Sequence, residues 1–284
     1  MSDSPALDLE GRGLTAVPES LPERLRWLDL SRNELASLPG DLDRLRSLEH
    51  LSLRANRFES IPDVVWRLPA LRALSIGENP LPELPEHIGE LSGLTELYVH
   101  ELGLTRLPDS IGQLTRLRVL DAGHNRLTAL PTPLASLGAL EILYVHDNRL
   151  GELPAELGSL ARLTYLNASD NPLRGMPEEI GRLKGLIELR LLNNGLTELP
   201  ATIGDLDRLR ELHLRGNQLH TLPETIARLT DLRVLDLRAN GLTELPATIA
   251  ELPRLEKLDL RWNKLATPPA WLDELCERGC VVLL

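Results

Sequence analysis

Three tyrosines, Tyr98, Tyr144 and Tyr165, are all that the chain has, and they fall in one stretch with His100, His124 and His146 and the carboxylates Glu96, Glu101, Asp121, Asp147 and Asp170. Tyrosine gives large contact area at low entropic cost and adds a hydroxyl, which suits the anchor of a protein interface. Carboxylates without basic neighbours attract a partner that exposes Lys or Arg, and speed its encounter. Imidazoles beside Asp147 and Asp170 also have the donor set for zinc, a different reading of the same residues. Further along, Arg190, Arg215, Arg238 and Arg261, with Lys257 and Trp262, alternate with Glu188, Glu211, Asp236 and Asp259. Such arginines either grip an acidic or phosphorylated peptide bidentately or are neutralised by their own carboxylates. No phosphate loop, G-x-S-x-G elbow, H-E-x-x-H helix or calcium loop occurs, so no catalytic residue, cofactor or metal ligand is assigned.

These residues are spaced by one period. Asn33, Asn56, Asn79, Asn125, Asn148, Asn171, Asn194, Asn217, Asn240 and Asn263 are separated by 23 residues or twice that, and the one gap is filled by Leu102. Each Asn closes the pattern L-x-x-L-x-L-x-x-N-x-L, as in Leu25, Leu28, Leu30, Asn33 and Leu35. The second half of the unit repeats as LPEHIGELSGL, LPDSIGQLTRL and LPATIGDLDRL, and twelve of the 21 prolines share one column. L-x-L predicts a short strand whose leucines point inward and whose middle residue points outward. Asn carries donors and acceptors that satisfy turn backbone groups otherwise buried unpaired. Pro ends the strand ladder, and the I-G-x-L spacing predicts a single helical turn on the return.

The expected architecture is therefore an α/β solenoid, a right-handed β-α superhelix shaped as a horseshoe, with a concave parallel sheet and short helical turns on the convex side. Residues 1–24 are expected to form an amino-terminal cap, including Met1–Arg12, and a short first repeat. Residues 25–267 form eleven units and 268–284 a carboxyl-terminal cap of helix plus last strand. Four outward positions per unit are free of the fold's demands. In units four to seven they read Glu96, Tyr98, His100, Glu101; Val119, Asp121, Gly123, His124; Ile142, Tyr144, His146, Asp147; and Tyr165, Asn167, Ser169, Asp170, with no Lys or Arg. Gly123 is expected to leave a dip between its larger neighbours. Leu102 interrupts the Asn ladder inside this patch and is expected to leave a turn donor unsatisfied.

Composition narrows the partners. With 31 Lys+Arg against 42 Asp+Glu, the net charge of −11 argues against nucleic acid, whose binding is driven by clustered cations. No apolar run is long enough to span a bilayer, and the acidic start MSDSPALDLEG lacks the basic and apolar regions of a signal peptide. With only Cys276 and Cys280 for thiols, a cytoplasmic protein is expected. A monomer is expected. The apolar ending GCVVLL has three readings: a self-covered edge, an edge-strand dimer, or a further domain beyond it.

The motifs L-x-x-L-x-L-x-x-N-x-L and L-P-x-x-I-G-x-L resemble those of leucine-rich repeat proteins of the 23-residue class. That variant is similar to Ras-suppressor-type and plant intracellular Ras-group repeats, and LPERLRWLDLSRNELASLP is similar to repeats of bacterial effector ubiquitin ligases. The resemblance implies a non-enzymatic signalling module or scaffold that binds a protein on the concave face. The alternative it implies is the substrate-recognition half of a ligase or signalling enzyme whose catalytic domain is absent.

Overall fold

The computed structural model describes residues 5–284. Met1–Ser4, part of the expected amino-terminal cap, lie outside the described residues. Among the described residues, thirteen strands form one parallel sheet in strict sequence order. They are β1 (Ala6–Asp8), β2 (Trp27–Asp29), β3 (His50–Ser52), β4 (Ala73–Ser75), β5 (Glu96–Tyr98), β6 (Val119–Asp121), β7 (Ile142–Tyr144), β8 (Tyr165–Asn167), β9 (Glu188–Arg190), β10 (Glu211–His213), β11 (Val234–Asp236), β12 (Lys257–Asp259) and β13 (Val281–Leu283). The middle residue of each strand turns inward. Leu97, Leu120, Leu143, Leu166 and Leu189 stack there with no exposure, each worth roughly 1.5–3 kcal/mol of burial. The flanking residues face the concave side and are paired in exact-repeat register, Tyr98 beside Asp121, Asp121 beside Tyr144, Tyr144 beside Asn167 and Asn167 beside Arg190.

The Asn column is the ladder its chemistry suggests. Asn148 donates from Nδ2 to the carbonyls of Ala122, Val145 and His146, and its Oδ1 accepts from the Leu127 amide. Just before each ladder position, Leu102 included, the backbone turns left-handed. Arg32, Ala55, Glu78, Glu101, His124, Asp147, Asp170, Asn193, Ala239 and Trp262 have φ between 51° and 63°, a region that non-glycine residues enter sparingly. This turn carries the chain off the sheet and sets those side chains at its edge.

The return segments are 3₁₀ turns, such as Asp109–Gln113 and Ala201–Asp205. Each follows a proline whose carbonyl accepts from the amide three residues on, as Pro108 does from Ile111. They stack tightly: a Cβ at Gly204 would lie 2.2 Å from the Thr225 carbonyl oxygen, so this position has no room for a side chain. At the carboxyl end α1 (Trp271–Glu277) buries Leu272 and Leu275 and leads into β13. Among the described residues no helix is long and apolar enough to cross a membrane.

The break at Leu102 has a defined consequence. In neighbouring units the ladder Asn accepts from the amide 21 residues before it, as Asn79 does from Phe58 and Asn125 from Leu104. The equivalent amide for position 102 is that of Leu81, which is buried and has no acceptor among the described residues. Pro80, next to it, has no N–H for the adjoining inter-unit bond that Arg57 and Arg126 make to Leu35 and Leu104.

Candidate functional site

Strands β5 to β8 bring most of the tyrosine-rich patch together. The rings of Tyr144 and Tyr165 lie 5.0 Å apart between centroids. Tyr144 meets His146 edge-on at 6.0 Å, and His146 meets His124 edge-on at 4.6 Å. The result is a continuous run of four rings across units five to seven. Tyr98 stands apart from it, one strand beyond Asp121, and donates its hydroxyl to Glu96 Oε2 at 3.0 Å. Burial, reinforced by the Glu96 carboxylate, pushes the Tyr98 phenol up to about 12, so it stays protonated and available as a donor. Burial also raises the Tyr165 phenol.

The histidines divide into a pair and a single. His124 Nδ1 lies 2.7 Å from Asp147 Oδ2, and its Nε2 is 3.2 Å from His146 Nε2. Burial, then the neighbouring His124, lowers the basicity of His146. His100 points elsewhere, with Nδ1 3.5 Å from Asp121 Oδ2 and Nε2 3.8 Å from Glu78 Oε1. The three imidazoles therefore do not share one centre. Among the described residues, the sets with three or more ligating groups within reach are Glu188, Glu211 and His213, and Asp8, Glu10 and Asp29.

Gly123 does not leave a dip. The His146 ring lies over it so closely that a Cβ there would sit 2.5 Å from His146 Cε1. His100 covers Gly77 in the same way, its Cε1 2.9 Å from where a Cβ would be. Each glycine is the seat of the next unit's imidazole.

The other acidic and amide groups are partly committed to the fold. Asp121 Oδ1 accepts from the Gly123 amide and Asn167 Oδ1 from the Ser169 amide, capping their own turns. Asp170 Oδ1 accepts from Asn193 Nδ2 at 2.8 Å. Glu101 is exposed at the edge of the sheet.

Units eight to eleven are paired internally. Arg238 Nε donates to Asp236 Oδ1 at 2.8 Å and lies 3.4 Å from Asp259 Oδ2, while Arg261 holds both oxygens of Asp259 at 2.9 and 2.7 Å. Asp259 is 1% exposed and Asp236 5%. Burial pushes the Asp236 carboxyl up, but hydrogen bonds from the Arg238 side chain and amide outweigh it and leave the group below the ordinary aspartate value. Arg190 bonds Glu188 while its guanidinium carbon sits 5.9 Å over the Tyr165 ring. Arg261 likewise stacks at 5.5 Å on Trp262, which is 67% exposed. Arg215 is exposed, with no acidic partner among the described residues.

A family described as a leucine-rich repeat region matches residues 65–154 and 203–277, and two further leucine-rich repeat families match 6–58, 23–81 and 162–183. The chain belongs to the leucine-rich repeat family. It is similar to the structure of a leucine-rich repeat protein from Leptospira interrogans, with 34% identity and a TM-score of 0.90 over 98% of this chain and 72% of that one. It is also similar to the Arabidopsis receptor kinase HAESA in complex with the peptide hormone IDA and the co-receptor SERK1, with 29% identity and a TM-score of 0.77 over 94% of this chain and 47% of that one. Human oligodendrocyte-myelin glycoprotein is 45% identical over 58 residues, which is 20% of this chain and 13% of that protein.

In this leucine-rich repeat sheet one feature escapes a reading of the tyrosines and histidines alone. A hollow of about 220 Å³ opens on the concave face next to the patch, lined by Trp27, Asp29, His50, Ser52, Ala73, Ser75, Glu96 and Tyr98. Its floor is made by the small outward residues of β3 and β4, with Trp27 and Tyr98 as walls. The signal for it was present: Ser52, Ala73 and Ser75 are small in the two columns that later hold Tyr98, Tyr144 and Tyr165.

Proposed function

We propose that the protein is a non-enzymatic binding module that takes a protein partner with an exposed basic surface on the concave face of units four to seven. Tyr144 and Tyr165 are the central anchors, and the hollow that runs from Tyr98 back to Trp27 in unit one extends the contact beyond those units. Glu96, Glu101, Asp121, Asp147 and Asp170 supply the charge that complements the partner. The observation that carries this reading is the unbroken run from Tyr165 through Tyr144 and His146 to His124, set among carboxylates on a rigid sheet. A rigid scaffold orders little on binding, so the contact area of the rings converts efficiently into affinity. The HAESA likeness supports the class of activity, since that receptor kinase was seen in complex with a peptide hormone and a co-receptor. A cytoplasmic setting is part of the proposal, because two cysteines in 284 residues is not the content of a disulfide-stabilised secreted domain.

The test is affinity capture from lysate of the native source with three baits: wild type, Tyr144→Ala/Tyr165→Ala, and Arg215→Ala/Arg261→Ala. A partner recovered by wild type and the arginine variant but lost from the tyrosine variant supports the assignment. A partner kept by the tyrosine variant and lost from the arginine variant places the site in units eight to eleven and contradicts it.

A further inference from the structure

We propose that His124 and His146 form a two-imidazole site for a divalent transition-metal ion, zinc being the physiological candidate, on the concave face between units five and six. The inference does not rest on a protein partner. Its basis is the convergence of the two Nε2 atoms at 3.2 Å. An ion about 2.0–2.1 Å from each nitrogen would see them at an angle of roughly 100°, close to the tetrahedral value that zinc adopts. The rings are nearly perpendicular, at 79°, with centroids only 4.6 Å apart, so the nitrogens meet at an angle rather than head on. Without an ion the same two nitrogens share a hydrogen bond, which an ion seated between them would replace.

The surroundings support the same assignment. Asp147 Oδ2 lies 2.7 Å from His124 Nδ1, which directs the ring's proton to that nitrogen and leaves the Nε2 lone pair free for the ion. Carboxylates behind metal-binding imidazoles do this in general, fixing the tautomer and raising basicity. His146 is held against Gly123, where a Cβ would push the ring away. The remaining coordination positions open to the concave side, for water or a carboxylate of whatever binds there. The set Glu188, Glu211 and His213 has more ligands, but Arg190 already holds the Glu188 carboxylate and its fixed charge opposes a second cation.

The metal-free full-length protein should be titrated with zinc chloride by calorimetry, beside His124→Ala, His146→Ala, Asp147→Asn and His213→Ala. One zinc per chain is expected for wild type and His213→Ala. Affinity should fall at least tenfold in each of the His124 and His146 variants, and about 10–100-fold in Asp147→Asn. No saturable uptake by wild type, uptake unchanged in both histidine variants, or loss confined to His213→Ala would overturn the proposal. A readout that needs no variant is the proton spectrum of wild type with cobalt(II). Shifted resonances from two imidazoles, assigned to His124 and His146, are expected; signals from His213 or from none would refute it.

Discussion

Units four to seven and units eight to eleven are built on the same ladder and the same buried leucines, yet they dispose of their outward residues in opposite ways. In the later units each of Arg190, Arg238 and Arg261 finds a carboxylate on its own strand or the next, and Asp236 and Asp259 are buried beneath them. Those side chains spend their charge on the sheet itself. In the earlier units the outward residues are rings stacked on rings and carboxylates with few cationic partners, a surface complete enough to be rigid and incomplete in charge. The first arrangement stabilises a scaffold; the second holds contact area and charge for something else.

The largest effect that would separate the two regions is on stability. Arg238→Ala/Arg261→Ala strands the Asp259 carboxylate, which is 1% exposed, and a buried carboxylate left without its cations is strongly destabilising. Urea denaturation should register that loss, while partner capture is retained. Next comes the reverse case. Tyr144→Ala/Tyr165→Ala should reduce partner affinity roughly 30-fold or more, about 2 kcal/mol, as for central interface anchors. Its unfolding midpoint should move far less than that of the arginine variant. A drop of equal size in both would erase the distinction drawn between the regions.

Smaller effects sharpen it. Leu102→Asn restores an acceptor for the buried Leu81 amide and should raise stability by about 1 kcal/mol, since an unsatisfied buried donor costs about 1–3 kcal/mol and some leucine burial is given up. An unchanged or lowered midpoint would mean that Leu81 is not the group that pays for the missing Asn. The smallest effect is the acid response of the arginine lattice. Asp236 titrates below its ordinary 3.8 in the folded chain, so its contribution is fully present above that value and is lost as pH falls through the lowered one. Asp236→Asn should therefore flatten the acid limb of a stability-against-pH curve, and an unaltered limb would assign the acid sensitivity to other carboxylates.

The fold was legible because its signal is repeated. One Asn or one L-x-L triplet means little, but the same residue at the same offset in ten units fixes strand, turn and return segment together. That the return is a 3₁₀ turn of about five residues was not readable from I-G-x-L, which suits any single helical turn; the proline carbonyl, closing a bond three residues on, decides it. The patch was legible as a set of columns, because strand alternation dictates which residues face out. Its internal pairing was not. Whether His146 stands free or lies over Gly123, and whether His100 joins His124 or turns toward Glu78 and Asp121, depends on side-chain rotation that spacing does not constrain. The hollow beside Trp27 was hidden for the converse reason: it is made by Ser52, Ala73 and Ser75, residues notable only for being small.

The central claim, that the ring-bearing units rather than the arginine lattice receive the partner, is most directly tested by hydroxyl-radical footprinting of the captured complex. Both regions carry reactive aromatic side chains on one molecule, so each serves as the other's control. The account predicts that Tyr144, Tyr165, Tyr98 and Trp27 lose reactivity on binding while Trp262 keeps it. Protection of Trp262 with the three tyrosines still reactive would contradict it.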